Sequence, residues 1–475
     1  MVQTPHNPDD GFLTPKNYRP AISLKYSVLI VVVLVAFLVH FDLSAVNIAL
    51  PAIGSEFHMD AVSLSWVSTA YLLSTIVFLV PFGKLADIWG RKRIFFTGIG
   101  VFTGASFLLL LVFQAPLLIL LRAVQGIGSA MIFATSTAIL ISVCEEGERG
   151  RMLGIYITAV YLGLSTGPFL GGVLTQVLGW KYIFLVNVPI GIAALLLLHA
   201  RLHREWTECA DEPFDLPGAV IYGATLVSGV VGLSLLPDIA GCALVALGLC
   251  GAAAFYVVER KTERPVFDLS LLTSNRVFAR SSLTSLICYS ATFAVAFLMS
   301  LELQIVGNFT PVHAGMILLV QPLMQAIVSP FTGRLSDRVE PGIVVSFGMG
   351  LVAVGLFLLI FVGSTTPVWY IVCALALLGV GFGFFASPNE NAIMSSVERC
   401  FYGVAAGTLS TVRLMGQVFS MAIAALLFSL IIGRTEITAD SSDAFLVCLH
   451  ILFALFTVLC IFGMVVSLKR GNLRP

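Results

Sequence analysis

Fourteen long apolar segments dominate this chain of 475 residues. Crossing the hydrocarbon core of a bilayer takes about 20 mostly apolar residues in helical form. Because that core offers no water, each segment has to satisfy its own backbone hydrogen bonds, which a helix does. We therefore predict an all-α integral membrane protein. The predicted spans are approximately 25–49, 62–82, 94–113, 116–142, 151–176, 182–200, 216–235, 240–259, 278–303, 312–334, 342–363, 367–390, 402–432 and 443–468.

The composition agrees with immersion in lipid. Hydrophobic residues make up 58% of the chain and charged residues only 11%, whereas soluble domains carry about 25% charged residues. A formal net charge of +0 argues against a nucleic-acid partner. The cysteines are scattered singly, with no C-x-x-C pair, so the sequence predicts neither a metal site nor a redox site.

The basic residues predict the orientation of the chain. Arg122 and Arg413 fall within spans, whereas Lys181 and Arg434 lie in loops on one side. All other Lys and Arg residues lie at the termini, at helix ends or in loops on the opposite side. The positive-inside rule makes that richer side cytoplasmic. We expect a multi-pass protein of the plasma membrane with both termini in the cytoplasm.

A repeated loop sequence predicts how the spans are grouped. GKLADIWGRKR, residues 83–93, follows the second span, and a weaker copy, GRLSDRVEPG, residues 333–342, follows the tenth. Two related six-helix bundles with two extra helices between them would place both copies on the cytoplasmic side. The predicted parts are a cytoplasmic tail at 1–24, an N-terminal bundle at 25–200, a linker with the two extra helices at 201–277, a C-terminal bundle at 278–468 and a cytoplasmic tail at 469–475.

Glycine and aspartate recur at the same spacing in the two copies of the loop. Gly83 and Asp87 correspond to Gly333 and Asp337. Glycine would let two helix ends approach closely, and the aspartate could cap a helix or pair with a basic group on a neighbouring helix. We expect charged contacts that hold one conformation closed on the cytoplasmic side. The alternative is that these charges only set the topology.

These features resemble the major facilitator superfamily, and within it the fourteen-helix drug:proton antiporter branch. GKLADIWGRKR, which includes Gly83, Asp87, Gly90 and Arg91, is similar to the cytoplasmic-loop motif of the family. Three other stretches resemble motifs of the first, fourth and fifth helices. They are FDLSAVNIALP at 41–51, with Phe41 where the pattern has leucine and Ser44 where threonine is usual, RAVQGIGSA at 122–130 and GLSTGPFLGG at 163–172.

The resemblance implies a fold and an activity. The fold would be two six-helix bundles related by pseudo-two-fold symmetry, each with internal inverted repeats, plus two linking transmembrane helices. Proteins of this kind bind substrate near the middle of the membrane and alternate access by rocking. The implied activity is proton-coupled export of hydrophobic or cationic compounds.

Two charged residues of the first bundle are candidates for proton coupling, because charges inside a membrane are costly and usually functional. Counting along the helices puts Asp42 roughly 13 Å and Arg122 roughly 9 Å from the outer surface, so they could meet in the outer half. We expect Asp42 to bind protons or a cationic substrate, with Arg122 and Gln125 tuning its protonation. The alternative is a static buried pair. Asn47 and Gln125 could contact a ligand or hold helices together.

Three charged residues of the second bundle are further candidates. Glu390 and Arg413 should lie at comparable depth, either in the substrate cavity or as an ion pair at the inner interface. Glu302 lies near the outer end of the ninth span. It could be an interface carboxylate in water or part of an acidic rim that attracts cations.

The fifth span carries small residues on one helical face. Gly163, Gly167 and Gly171 recur at intervals of four, which favours close packing with another helix. Pro168 removes one backbone hydrogen bond and favours a kink. This stretch, which also contains Gly172, could be a packing seam alone, or the hinge suited to antiport that the resemblance implies.

No sequence feature supports an enzyme. The chain has no G-x-x-x-x-G-K-[ST] loop for ATP and no H-E-x-x-H motif. We expect no cofactor, and the expected partners are protons, a small lipophilic or cationic substrate and the lipid bilayer, with the chain acting as a monomer. Alternatives are a dedicated exporter of one native metabolite or a membrane sensor that binds without translocating.

Overall fold

The computed structural model describes residues 24–144, 148–202, 205–207, 214–260, 275–336, 338–397, 402–433, 435–437 and 441–471. Within these residues, fourteen helices are long and apolar enough to cross a membrane. The chain is a fourteen-span, all-α membrane protein, as the sequence predicts. In chain order the helices are α1 (Leu24–Phe57), α2 (Ala61–Trp89), α3 (Arg91–Leu109), α4 (Ala115–Ser142), α5 (Arg149–Val177), α6 (Lys181–Arg201), α7 (Leu216–Leu235), α8 (Ile239–Glu259), α9 (Arg276–Val306), α10 (Pro311–Ser336), α11 (Pro341–Leu359), α12 (Val368–Ser395), α13 (Tyr402–Leu427, continued by a π-helical turn, Phe428–Ile432) and α14 (Ser442–Leu468).

Several helices run beyond the apolar segments that predict them. α1 continues through Pro51 to Phe57, and α2 continues to Trp89. Hydropathy locates only the part of a helix that needs lipid, so helical ends in polar surroundings are missed. Asp42 lies near the middle of α1.

Short connections make neighbouring helices antiparallel. His58, Met59 and Asp60 join α1 to α2, and the Asp60 carboxylate caps α2 by accepting a hydrogen bond from the Ser63 amide at 2.9 Å. Gly90 alone joins α2 to α3. We call the two ends of the molecule the His58 end and the Gly90 end.

The helices form two bundles and a linking pair. α1 to α6 pack on one another, and so do α9 to α14. The linking helices α7 and α8 pack closely against each other through small residues, among them Gly232 and Gly248. α7 contacts α2 of the first bundle and α13 of the second, whereas most of α8 is exposed at the periphery.

The glycine stripe of α5 packs against α1. A Cβ atom at Gly163 would lie 2.6 Å from the Phe37 carbonyl oxygen, and one at Gly171 would lie 2.9 Å from the Ala45 Cα atom. At Gly167 a Cβ atom would collide with the Ser44 hydroxyl. Real Cβ atoms do not come this close to backbone, so the two helices touch only because these residues are glycine.

The opposite side of α5 packs against the other bundle. A Cβ atom at Gly172 would meet the Pro311 carbonyl oxygen of α10, and one at Gly315 of α10 would meet the Pro168 carbonyl oxygen. α5 therefore lies between α1 and α10, and the two bundles come into backbone contact along it.

Arg470 fixes the end of α14 to the second bundle. Its side chain is buried and donates hydrogen bonds to Ser281 Oγ at 3.0 Å and Asn389 Oδ1 at 3.1 Å. Burial lowers the pKa of the guanidinium to about 10, although nearby Glu340 acts in the opposite direction. The first residues of the predicted C-terminal tail are therefore held by α9 and α12.

We predict that Gly163→Ala destabilises the protein and that Gly154→Ala does not. Both glycines lie in α5, but a Cβ atom at Gly154 meets nothing within 4 Å. Overpacking should cost about 1–3 kcal/mol at Gly163, whereas alanine in a free helical position gains roughly 0.5–1 kcal/mol over glycine. Thermal unfolding of both variants in detergent measures the difference, and equal Tm values would contradict the α1–α5 contact.

Candidate functional site

Asp42 and Arg122 form a buried ion pair inside the first bundle. Arg122 Nη1 donates to Asp42 Oδ2 at 2.7 Å, and both side chains are 0% exposed. Arg122 Nε donates to the Val67 carbonyl oxygen of α2 at 3.2 Å, and the Tyr71 ring centroid lies 4.5 Å from its Cζ atom. The expected contact between α1 and α4 is present, and the guanidinium also reaches α2.

Two amides complete the surroundings of the Asp42 carboxylate. Asn187 Nδ2 of α6 donates to Asp42 Oδ1 at 2.7 Å, and Gln125 Nε2 of α4 donates to the same oxygen at 3.2 Å. Gln125 also donates to Ser106 Oγ of α3 at 2.9 Å, and its own carbonyl oxygen accepts from Arg122. Every polar atom of the carboxylate is therefore used within the first bundle.

This Asp42 network lies inside the first bundle, away from the space between the bundles. The fully buried carboxylate has no route to a bulky ligand in this conformation. Of the two roles predicted for Asp42, the arrangement favours proton binding over direct contact with a cationic substrate. The sequence analysis did not identify Asn187. This polar residue lies in the sixth span, two residues before Pro189, and inspecting every polar residue within a span would have found it.

Asn47 holds two helices of the first bundle together. Its side-chain oxygen accepts a hydrogen bond from Ser68 Oγ of α2 at 3.2 Å, and the residue is 5% exposed. Of the two possibilities that the sequence left open, the geometry favours helix–helix contact.

Glu390 and Arg413 form a second, more open ion pair. Arg413 Nη2 of α13 donates to Glu390 Oε2 of α12 at 2.9 Å, with 31% and 42% of the two side chains exposed. The Tyr289 ring of α9 lies below the guanidinium, 5.8 Å from Cζ to centroid. From the first bundle, Tyr156 and Tyr161 of α5 lie within electrostatic range of both charges. The pair therefore faces the first bundle across the space between them.

Glu302 is buried, which contradicts both possibilities considered for it. Only 2% of the residue is exposed, and its Oε2 atom has no hydrogen-bond partner. Glu302 begins the π-helical turn that ends α9, and this turn packs against α10 and α14. Counting from the end of a span gives depth but not the direction that a side chain takes, so the sequence could not predict this burial.

The charged loop at residues 83–93 is mostly helical rather than a turn. Gly83 and Asp87 lie in the last turns of α2, and only Gly90 leaves helical geometry, with φ 114°. Asp87 Oδ1 accepts hydrogen bonds from Arg91 Nε at 2.9 Å and from Arg91 Nη2 at 2.8 Å. This ion pair joins the end of α2 to the start of α3.

Close approach within this loop occurs at Gly90 and not at Gly83. A Cβ atom at Gly83 would meet nothing within 4 Å, whereas one at Gly90 would lie 2.5 Å from the Glu205 carboxyl carbon. The prediction for Gly83 was therefore wrong, because the neighbour that demands glycine comes from a distant part of the chain. Gly333 lies inside α10, beside Ser387 of α12, and Asp337 lies outside the described residues.

Glu205 caps the start of α3. Its Oε1 atom accepts a hydrogen bond from the Lys92 amide at 2.8 Å, and the Trp206 carbonyl oxygen accepts one from the Arg91 amide at 3.0 Å. The carboxylate thus occupies the positive end of the α3 dipole, with Arg93 Nε 3.9 Å away. The segment that follows α6 is thereby fixed to the loop.

Contacts between the bundles are concentrated toward the His58 end. Gln304 Nε2 of α9 donates to the Ile48 carbonyl oxygen of α1 at 3.0 Å, and the Ala61 amide donates to the Thr435 carbonyl oxygen at 3.1 Å. His58 Nδ1 lies 3.3 Å from Glu436 Oε1. Together with the α5–α10 contact, these bonds hold the bundles together on this side of the molecule.

We predict that Glu205→Ala lowers stability by about 1 kcal/mol, the usual effect of losing a helix cap. Glu205→Gln keeps an oxygen acceptor and should lose less. Gly90→Ala should be more harmful than either, because a side chain is strained at this φ and collides with Glu205. Gly100→Ala, in an open position of α3, is the control. Tm values in detergent test this order, and an unchanged Tm for Glu205→Ala would contradict the cap.

The chain matches the family model of the Major Facilitator Superfamily over residues 32–421 and 281–472. It is 27% identical to the riboflavin transporter RibZ of Clostridioides difficile over 93% of this chain and 97% of that protein. It is 30% identical to the multidrug resistance protein Stp of Mycobacterium tuberculosis, over 82% and 73% of the two chains. It is 28% identical to the methylenomycin A resistance protein of Bacillus subtilis, over 85% and 88%.

A solved structure agrees with this assignment at the level of the fold. The peptide transporter POT in complex with sulfate superimposes with a TM-score of 0.70, covering 94% of this chain and 95% of that chain at 14% sequence identity. Family membership makes the chain a multi-pass membrane transporter of a small molecule, a role distinct from enzymatic catalysis. The chain belongs to the Major Facilitator Superfamily.

Proposed function

We propose that this protein is a proton-coupled transporter that exports hydrophobic or cationic organic compounds by alternating access. The supporting observation is the division of charge between two places. One ion pair is enclosed in the first bundle, and the other is open to the space between the bundles. An enclosed carboxylate suits a proton, and an open, aromatic-lined pair suits an organic substrate.

The Asp42 network supplies a physical link between a proton and a helix rearrangement. Protonation of Asp42 would remove the counter-charge of Arg122, whose guanidinium is equally buried. Leaving one partner of a buried pair without compensation costs about 3–5 kcal/mol. Because Arg122 also bonds to Val67 of α2 and Gln125, the cost is relieved most directly by a shift among α1, α2 and α4. Enclosure of the carboxylate also limits proton leakage between transport events.

Alternating access would use α5 as the moving contact. The bundles meet at the His58 end along α5 and α10, so opening that end requires the contacts of Gly172 and Gly315 to separate. We propose that the Gly90 end faces the cytoplasm, that both termini lie there, that the membrane is the plasma membrane and that the protein acts as a monomer. The charged loop at Gly90, with Asp87 and Arg91, would hold α2 and α3 together during this movement.

The relatives support two substrate ranges. Multidrug resistance and methylenomycin A resistance proteins favour export of foreign compounds. The similarity to a riboflavin transporter favours a dedicated transporter of one metabolite as the alternative. A non-transporting sensor is the third possibility, and tight binding without flux would identify it.

We predict that Asp42→Asn abolishes proton-driven transport. The variant keeps the side-chain volume but can neither bind a proton nor neutralise Arg122. The assay is uptake of ethidium into inside-out vesicles with an imposed pH gradient, with and without a protonophore. Wild-type uptake should disappear with the protonophore.

The control for this variant separates function from folding. Asp42→Asn leaves Arg122 buried without a counter-ion, whereas Asp42→Asn with Arg122→Gln removes both charges. The double variant should recover thermal stability but not transport. Wild-type, protonophore-sensitive uptake by a folded Asp42→Asn protein would exclude Asp42 as the proton carrier.

We predict that linking α5 to α10 at the His58 end stops transport. Gln176 Oε1 of α5 accepts a hydrogen bond from the Val312 amide at 3.3 Å, so cysteines at these two positions lie within reach of a short thiol cross-linker. In a background without native cysteines, Gln176→Cys/Val312→Cys protein cross-linked through disulfides by a bis-methanethiosulfonate reagent should lose uptake and regain it on reduction. Each single-cysteine variant treated identically is the control. Full uptake by cross-linked protein would contradict opening at this contact.

A further inference from the structure

We propose that the site at Glu390 and Arg413 selects planar aromatic compounds that carry both a hydrogen-bond donor and an acceptor and no net charge. This inference rests on the proposed function, because it narrows the substrate class of the same central site. It favours such amphoteric compounds over simple lipophilic cations.

The Glu390–Arg413 pair has unused hydrogen-bonding capacity. One bond joins the two residues, and the Arg413 Nε atom has no partner. Gln417 lies one helical turn further along α13, on the same face, and its Oε1 atom also has no partner. Both of these atoms are buried, whereas 31% of the Arg413 side chain and 42% of the Glu390 side chain are exposed. A ligand that bonds to the exposed part of the pair, and that lets the two buried atoms find partners as the side chains adjust, would gain the free energy that unpaired groups forfeit.

The Glu390–Arg413 pair differs from the ion pair in the first bundle. The Asp42 carboxylate already accepts from Arg122, Gln125 and Asn187 and is 0% exposed. Glu390 keeps 42% of its side chain exposed, although it lies in a transmembrane helix. Only this second pair can exchange part of its bonding for bonds to a ligand.

The site carries one positive and one negative charge side by side. Glu390 and Arg413 neutralise each other at 2.9 Å, so the site presents both signs with no net excess. A ligand with one positive charge would be attracted to Glu390 but repelled by Arg413 at nearly the same distance, and a single negative charge would meet the reverse. A ligand that is itself balanced in charge meets neither penalty.

Aromatic residues surround the ion pair. Tyr289 lies below the guanidinium and packs edge-on against Phe382, with ring centroids 5.3 Å apart. Tyr156 and Tyr161 approach from α5 of the other bundle. Aromatic residues from both bundles beside a mixed polar edge suit a planar ring system with a polar edge of its own.

Binding of two aromatic probes to the full-length protein in lipid nanodiscs tests the inference. Riboflavin is uncharged and planar, with an imide edge that both donates and accepts, and ethidium is a planar permanent cation. We expect riboflavin to bind at least about tenfold more tightly than ethidium. Tighter binding of ethidium to the wild-type protein would overturn the proposal.

Substitutions at the pair give a second readout. Arg413→Gln leaves Glu390 unpaired, so riboflavin should bind about tenfold more weakly and ethidium more tightly. Arg413→Lys keeps the charge and loses the planar donor edge, so it should weaken riboflavin without improving ethidium. Thr97→Ala, at an exposed position of α3 in the first bundle, is the control that should change neither. An unchanged ratio of the two affinities in Arg413→Gln would overturn the proposal.

These measurements separate this inference from the proposed function. Binding is measured without a pH gradient and does not depend on transport. If neither probe accumulates in vesicles but the riboflavin preference and its loss in Arg413→Gln are present, the substrate class stands and proton-coupled export fails. If ethidium is exported with the pH gradient and the Arg413 variants bind both probes as the wild type does, export stands and the substrate class fails.

Discussion

The buried ion pair between Asp42 and Arg122 constrains the first bundle more than any other interaction. Two opposite charges without access to water are costly unless they contact each other and are surrounded by further hydrogen bonds. Val67 of α2, Gln125 of α4 and Asn187 of α6 bond to the pair, and Ser106 of α3 accepts a hydrogen bond from Gln125, although Arg122 Nη2 has no hydrogen-bond partner. Five of the six helices are therefore tied to a single charge arrangement. A change in that charge would act on the packing of the whole bundle, as the proposed coupling to protons requires.

The second ion pair has the same chemistry in different surroundings, and the difference follows from the position of its helices. Glu390 and Arg413 lie on faces of α12 and α13 that look across to α5, where the bundles separate. α5 can touch both bundles because its glycines remove side-chain bulk on the α1 side and the α10 side. The small residues thus let α5 contact both α1, which carries Asp42, and α10 of the second bundle.

The sequence predicts the features that follow from immersion in lipid. It misses those that depend on how a helix is rotated about its axis or on contacts between residues far apart in the chain. Span number follows from the apolar segments, and the Asp42–Arg122 contact follows because a charge in lipid needs its opposite. Burial of Glu302 depends on how the end of α9 is rotated, which the almost wholly apolar stretch before it, Ala294–Leu301, does not reveal. The requirement for glycine at Gly90 comes from Glu205, which lies more than a hundred residues away from the loop it caps. The role of Asn187 is likewise hidden in the sequence, because it appears only when α6 is placed against α1.

The linking helices are fixed to both bundles, and this limits how the bundles can move. On one side of α7, Glu205 and Trp206 are bonded to the start of α3 at the Gly90 end. On the other side, the Leu236 carbonyl oxygen accepts a hydrogen bond from Ser429 of the second bundle at 2.6 Å. The first attachment precedes α7 in the chain and the second directly follows it, and they lie toward opposite ends of the molecule. Between them, α7 itself contacts α2 of the first bundle and α13 of the second, and Tyr222 of α7 donates a hydrogen bond to the Ile76 carbonyl oxygen of α2. Under the proposed alternating access, the linking pair would therefore have to follow both bundles rather than move with one alone.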